Sequence, residues 1–598
     1  MQSTMNDFVT GAEDIRWDLT DLYEDEEALH ADVARAEREA ATFAEDFRGS
    51  VSTLSGEELA AALRRFEAIQ DRAGRAYTYV FLHWSTDTSA ADRGALLQKV
   101  REAYTRISQQ LLFFGLEWIH LGDEEAAQVM ESPSVTPFRH HLERERLIKQ
   151  FVLTEKEEKI LVEAAVTGPG AWTRFFTETV SAMRFEFDGA ALTQQEILSK
   201  LYESDREVRR RAALSFTEGL KASGHTLTFV FNTLLADKAS RDRLRGYPHW
   251  IKSRNLANEI SDETADALIG AVNSRYDLVA RFYRLKKRLL GLDELFDYDR
   301  YASVGEADSR YTWQEARDLV LDAYTAFDSR MGKIAGYFFE RRWIDAPVLP
   351  FKRGGAFSHG AVPSAHPYVL VNYNGKARDV QTLAHELGHG VHQYLSRAQG
   401  YLHADTPLTT AETASVFGEM LVFERLMQQE EDPADRLSIL ISKIDDTLAT
   451  VFRQVAMNRF EDRIHTHRRE HGELSSDTLD ALWIETQEAM FQGSVTLGEH
   501  YRRWWSYIPH FLHTPGYVYA YAFGELLVLA LYARYLEDRN AFPEQYLGLL
   551  TAGGSDWPHV LVGRLGIDLQ DLGFWIQGLG AIESHIEQAE ALARELES

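Results

Sequence analysis

Apolar residues recur at three- and four-residue spacing along most of the 598-residue chain, the pattern of helices that each bury one stripe. Only 14 prolines interrupt it, so the chain reads as predominantly α-helical with few breaks. Residues 1 to 165 form charged helices without a catalytic signature, including the acidic opening 21–47 and the segment 156–166. Thr167-Gly168-Pro169-Gly170 is the clearest linker signal. Beyond it, Met183 to Phe187 alternates like a strand, Asp188-Gly189 supplies hairpin-turn chemistry, and Thr193-Gln194-Gln195-Glu196 is a capping box opening the next helix. We therefore expect a boundary near 195, with an N-terminal helical domain over 1–195 and a second domain over 196–598. No period of 20–50 residues marks a repeat architecture.

The texture changes at 350–375. Gly354, Gly355, Gly360, Pro363 and Pro367 mark loops, and the β-rich run Tyr368-Val369-Leu370-Val371-Asn372-Tyr373 follows, closed by Asn374-Gly375. This is one of few strand candidates, it could pair with an extended peptide, and it directly precedes the helix that carries the chemistry.

Charge and composition narrow that chemistry. With 92 acidic against 64 basic side chains the formal charge is −28, which disfavours nucleic acid and anionic membrane surfaces as partners. No apolar run reaches a membrane span, and the opening residues have neither a basic nor an apolar leader region, so the expected location is the cytoplasm. The chain has no cysteine, which removes disulfides and thiolate sites; any metal must rest on His, Asp and Glu. The basic runs Arg209-Arg210-Arg211 and Lys286-Lys287-Arg288 read as solvated helix faces.

His385-Glu386-Leu387-Gly388-His389 is a complete HExxH motif. Val380, Leu383, Ala384, Leu387, Val391, Tyr394 and Leu395 share one face of the helix around it, with Asp379 placed to cap the start, and His385, His389 and His392 fall on the other. Two imidazoles one turn apart can hold a single ion, while Glu386 on the flank can reach a water beside it. Gly388 and Gly390 cost helix stability and make sense where another group approaches closely. A third ligand is sought in 409–419: on a helix, Glu412, Ser415 and Glu419 share a face. Glu412 is a candidate ligand or the closing residue of a Thr409-x-x-Glu412 capping box; Glu419 is a weaker ligand candidate or a partner that orients a ligand histidine. The inverted motif His467-Arg468-Arg469-Glu470-His471 is a poor competitor, because its two arginines would oppose a divalent cation. In 508–521, Thr514 and Pro515 are expected to open a helix on which Tyr517 and Tyr521 share a face and Tyr519 points away. Such a stripe is either aromatic core or, beside a hydrolytic centre, a set of oxyanion donors.

Together, HELGHGVH, AETASVFGE and IPHFLHTPGYVYAYAFGE resemble the oligoendopeptidase F branch of the thimet oligopeptidase superfamily of zinc metallopeptidases. GGAFSHG, PYVLVNYNG and the opening IRWDLTDLY fit the same resemblance, which spans nearly the whole chain. It implies one zinc ion per chain held by His385, His389 and Glu412, Glu386 as general base, Glu419 in support, and His510, Tyr517 and Tyr521 as groups contacting substrate or oxyanion. It further implies an elongated two-part helical body with a deep central channel, a small β-sheet beside the zinc helix, and hydrolysis of internal bonds of oligopeptides. Two departures stand out: Gly516 replaces a bulky aromatic before the first tyrosine, and His513 competes with His510 for its role. An exopeptidase on the same scaffold and a zinc-stabilised binding protein are the alternatives; the complete HExxH speaks against the second, since a structural site has no need of its glutamate.

Overall fold

The computed structural model describes residues 8–305 and 310–597. The start of the opening segment, residues 1–7, lies outside the described residues. As expected, the chain is predominantly helical with small sheets. Reciprocal caps start many helices: the Ser55 amide donates to Glu58 at 2.8 Å while the Ser55 side chain caps Gly56–Ser85, and Thr193 and Glu196 repeat the arrangement where the sequence placed it. These bonds satisfy first-turn N–H groups that have no intrahelical acceptor. No described helix is long and apolar enough to cross a membrane.

Two compact units emerge, each assembled from three stretches: 1–149, 308–429 and 534–567 in the first, and 150–307, 430–533 and 568–598 in the second. This partition differs from a single division at 195. Gly168-Pro169 is a local break between Glu155–Thr167 and Pro169–Ala182, both within the second unit. Glycine and proline report where a helix must stop; which distant helices then pack together is a separate matter.

The described residues form two small sheets. In the second unit, β1 (Phe185–Phe187) and β2 (Ala190–Leu192) form the expected hairpin, with Asp188 and Gly189 at φ 51° and 82°. In the first unit, β3 (Ile344–Asp345), β4 (Phe357–His359) and β5 (Tyr368–Leu370) pair in the order β3-β5-β4. The strand expected over 368–373 is β5, ending at Leu370, and it is central: β3 runs parallel on one side and β4 antiparallel on the other. Its hydrogen-bonding edges are therefore occupied and an added peptide strand cannot pair with it; β3 and β4 are the outer strands, and β3 is flanked by the bonds of the Asp18 amide to the Arg342 carbonyl and of the Ala346 amide to the Ile15 carbonyl. Complete burial of Tyr368, Val369 and Leu370 explains why this run is apolar without alternation.

Charge runs were less legible. Arg209 is buried against Asp299 at 3.0 Å, and Lys286 is buried with Asp445 at 2.5 Å, so neither lies on a solvated face. Arg210 and Arg211 pair with Glu207 and Asp188 in more exposed positions. The partners of the buried pair are 90 and 159 residues away, beyond any local pattern.

Candidate functional site

The HExxH motif lies within the helix Ala377–Ser396. Asp379 supports the start from the third helical position, its carboxylate accepting the amides of Asn374 and Lys376 at 2.9 and 3.0 Å. Val380, Leu383, Ala384, Leu387 and Val391 are fully buried, which fixes the rotation of the helix and turns His385 and His389 to its other side. Gly388 allows the approach of a second segment: a Cβ there would stand 2.3 Å from the Ala414 carbonyl oxygen. Tyr324, on Trp313–Phe327, donates its hydroxyl to the Ala384 carbonyl at 2.5 Å, pinning the backbone just before His385. A Cβ at Gly418 would lie 2.1 Å from that hydroxyl, so the tyrosine reaches the helix through the space a glycine leaves.

That close approach delivers Glu412. It sits in the turn between Leu408–Ala411 and Ser415–Gln429, not on the face of a continuous helix as the spacing predicted. Ser415 donates its hydroxyl to the Glu412 carboxylate at 2.7 Å. One Glu412 oxygen stands 3.4 Å from His385 Nε2 and 3.4 Å from His389 Nε2, and the candidate ligand atoms of the three residues all lie within 4.8 Å of one another. Glu419 lies 3.3 Å from His385 Nδ1, the nitrogen turned away from the group. His392 is buried beside the group but outside it, its imidazole held down to about 3 by burial and by His389. At the inverted motif, Glu470 and His471 are largely exposed and no such group forms among the described residues.

Three carboxylates face two imidazoles here. Burial opposes charge on His385, yet the bond to Glu419 and the charges of Glu412 and Glu386 push it up to about 9. Burial likewise opposes ionisation of Glu412, but His389, His385 and the Ser415 hydroxyl hold it down at about 2. Burial raises Glu386, with the histidine charges opposing. An excess of anionic oxygen around two nitrogens, with the outer ring nitrogen of His385 already paired to a carboxylate, fits a divalent cation of the zinc type.

The tyrosine turn belongs to the second unit. Thr514 does not cap a helix: it follows the short helix His510–His513 at φ −148°, and the long helix begins at Tyr519. Between them Gly516 adopts φ +76°, and a Cβ there would meet Ile251 at 3.2 Å and Arg254 at 3.4 Å. Glycine at this position is thus a backbone requirement. Tyr517 and Tyr521 come together with ring centroids 5.0 Å apart, and His510 lies 6.1 and 6.0 Å from them, its Nε2 3.4 Å from the Tyr521 hydroxyl. His513 turns elsewhere, with Nε2 3.2 Å from the Thr177 hydroxyl. Tyr519 is buried and bonded to Asn255 and Asn258, pointing away as expected. Sequence reasoning missed Tyr324 and Glu461. Tyr324 looks like any core aromatic; Glu461, whose carboxylate accepts the Gly516 amide at 2.8 Å, hides in a charged stretch, its one signal being a place beside Phe460 and Ile464 on the buried side of Gln454–His471.

The pattern of Peptidase family M3 matches residues 199–581, and that of Oligopeptidase F matches 117–185. The chain is 28% identical to the oligopeptidase PepF of Bacillus subtilis over 92% of this chain and 83% of that protein. It is 27% identical to the group B oligopeptidase PepB of Streptococcus agalactiae, over 97% of each. Its fold matches the crystal structure of oligoendopeptidase-F from Enterococcus faecium with a TM-score of 0.72, at 22% identity, over 95% of this chain and 99% of that one. A family match over more than half the chain, around an HExxH helix and its glutamate, leaves one placement: the chain belongs to peptidase family M3, in its oligopeptidase F branch.

Proposed function

We propose that the chain is a zinc-dependent oligoendopeptidase that hydrolyses internal bonds of short peptides, with Glu386 as general base. The observation that carries this reading is the meeting of His385, His389 and Glu412 beside a buried Glu386. His385 Nε2, His389 Nε2 and a Glu412 oxygen would hold the ion. Bound there, zinc polarises a carbonyl and acidifies water near neutral pH. Glu386 takes a proton from the attacking water at its carboxylate and returns it to the leaving nitrogen; its raised proton affinity suits both transfers. Glu419 accepts the Nδ1 proton of His385 and so keeps Nε2 available. Tyr517, Tyr521 and His510 serve as hydrogen-bond donors to the substrate or its oxyanion, a role supported by their clustering and by the family motif they match. An extended substrate would lie along the outer edge of β4, since β5 is already paired on both sides and β3 is flanked by the segment at Ile15 and Asp18.

Incubation with a mixed peptide library, with and without chelator, tests the reading through mass spectrometry of the products. Internal cuts in short peptides that vanish with chelator and return with zinc are expected. Trimming of single or paired terminal residues would replace this reading with an exopeptidase.

A further inference from the structure

The turn that carries Tyr517 rests on a buried acid with no part in the chemistry above. Glu461 is wholly buried on Gln454–His471, in the second unit. One carboxyl oxygen accepts the Gly516 amide at 2.8 Å; the other meets no hydrogen-bonding partner among the described residues. Gly516 is the one left-handed residue of the turn and immediately precedes Tyr517. Its other side is closed by Ile251 and Arg254, and the Arg254 Nε–H is directed at the Pro515 carbonyl at 3.5 Å. The turn is therefore held from below by one strong acceptor and from the side by packing. Its exit is fixed as well, because Tyr519 is anchored by Asn255 and Asn258. Between these two anchors, only Tyr517 and Val518 remain to be set.

We propose that Glu461 is a positioning residue for the peptidase reaction: sealed beneath the 514–518 turn, its carboxyl fixes the Gly516 amide and with it the direction in which Tyr517 presents its hydroxyl. This rests on the reading of Tyr517 and Tyr521 as donors given above. The state of the acid accords with the geometry. Burial pushes Glu461 up to about 8 against Gly516, Arg254, Lys238 and Arg459, which favour its charge. His465, one turn further along the same helix and stacked on Trp250, is itself kept neutral by burial. Burial thus favours the neutral acid, whose carbonyl oxygen can accept one amide. Glutamine reproduces that shape and that acceptor; methionine keeps the volume and lacks the acceptor.

The test compares Glu461→Gln, Glu461→Met, Tyr517→Phe and the double variant Glu461→Met/Tyr517→Phe in the zinc-loaded enzyme, using a quenched oligopeptide at pH 7. Far-ultraviolet circular dichroism and zinc content accompany the kinetics. Glu461→Met is expected to lower kcat about tenfold or more with KM changed less than about threefold, and Glu461→Gln to keep kcat within about threefold. The double variant should be no slower than Tyr517→Phe alone, because a residue that acts through the tyrosine has nothing left to position. Wild-type kcat in a folded Glu461→Met, equal damage in the Gln and Met variants, or losses that multiply in the double variant would each overturn the proposal. If Tyr517→Phe and Tyr521→Phe are both fully active, it is the donor reading that fails. If Glu461→Met does not fold, the Gln variant still decides: a large loss of kcat there at unchanged zinc content counts against positioning by a neutral acceptor.

Discussion

At the metal group, one helix supplies two of three candidate ligands a single turn apart, and the third arrives through a gap that Gly388 leaves open. At the tyrosine turn, three aromatic groups converge from a short helix, a left-handed turn and the start of a long helix, over a buried acid from a fourth segment. The electrostatics differ in the same sense. Around His385 and His389, charges of both signs stand 3.3–3.4 Å apart and drive His385 up and Glu412 down. Under Tyr517 burial is the dominant influence and pushes the Glu461 carboxyl up, toward its neutral form. A cation site can tolerate some imprecision because Coulomb attraction is long-ranged; a hydroxyl acting as proposed, as a donor to an oxyanion, would work by direction and would need a rigid turn more than a strong field.

The largest effect tests the charged region. Glu386→Gln is expected to cut kcat by about 10²–10⁴ while zinc content stays at one per chain, the range for loss of a general acid–base group. Full activity in that variant would falsify the assignment of the base. Next comes the gap itself. Gly388→Ala puts a methyl group 2.3 Å from the Ala414 carbonyl and must displace the turn that carries Glu412. We expect about 1–3 kcal/mol of lost stability and a fall in zinc affinity of about 10–100-fold, measured by melting and by chelator competition. Gly548→Ala is the control within the same unit: a Cβ meets nothing within 4 Å, so it should leave zinc affinity unchanged and raise stability slightly. Equal effects of the two would show that Gly388 plays no special part in bringing the ligands together.

How far each region could be read from sequence follows from the same contrast. The helix face of His385 and His389 was legible because an α-helix converts spacing directly into adjacency. Glu412 was legible as a candidate, but its place in a turn was not: the Ser415 hydroxyl, not a capping box, holds it, and only the approach to Gly388 makes that turn close. In the second unit the residue types pointed to side chains that the fold does bring together, while the backbone that brings them together was misread. Thr514-Pro515 looked like a helix start, whereas the positive φ of Gly516 delays the helix to Tyr519. The strand 368–373 was visible from its apolar run, while its central place in the sheet depended on partners at 344 and 357 that carry no local mark. Unit boundaries were least legible of all, since three-part units are defined by packing between segments hundreds of residues apart.

Two smaller effects sharpen the neutral side of the comparison. Gly516→Ala forces a side chain into the left-handed region and against Ile251, so about 1 kcal/mol of stability and about tenfold in kcat should be lost with zinc content intact. The last concerns Glu461 and pH. Its carboxyl has an ordinary value of 4.5 and is pushed up to about 8 in the fold. Between those values the unfolded chain has released a proton that the folded chain keeps. The stabilising contribution is therefore complete below pH 4.5, declines as pH rises, and is gone above about 8. Glutamine has no proton to release, so Glu461→Gln should melt close to wild type near pH 5 and a few degrees above it at pH 8, in zinc-loaded protein. A difference that grows toward acid pH would show that the carboxyl is held as a charged group paired with Lys238 or Arg254. The two regions would then share one electrostatic design, and the contrast between a charged ligand group and a neutral turn would fall.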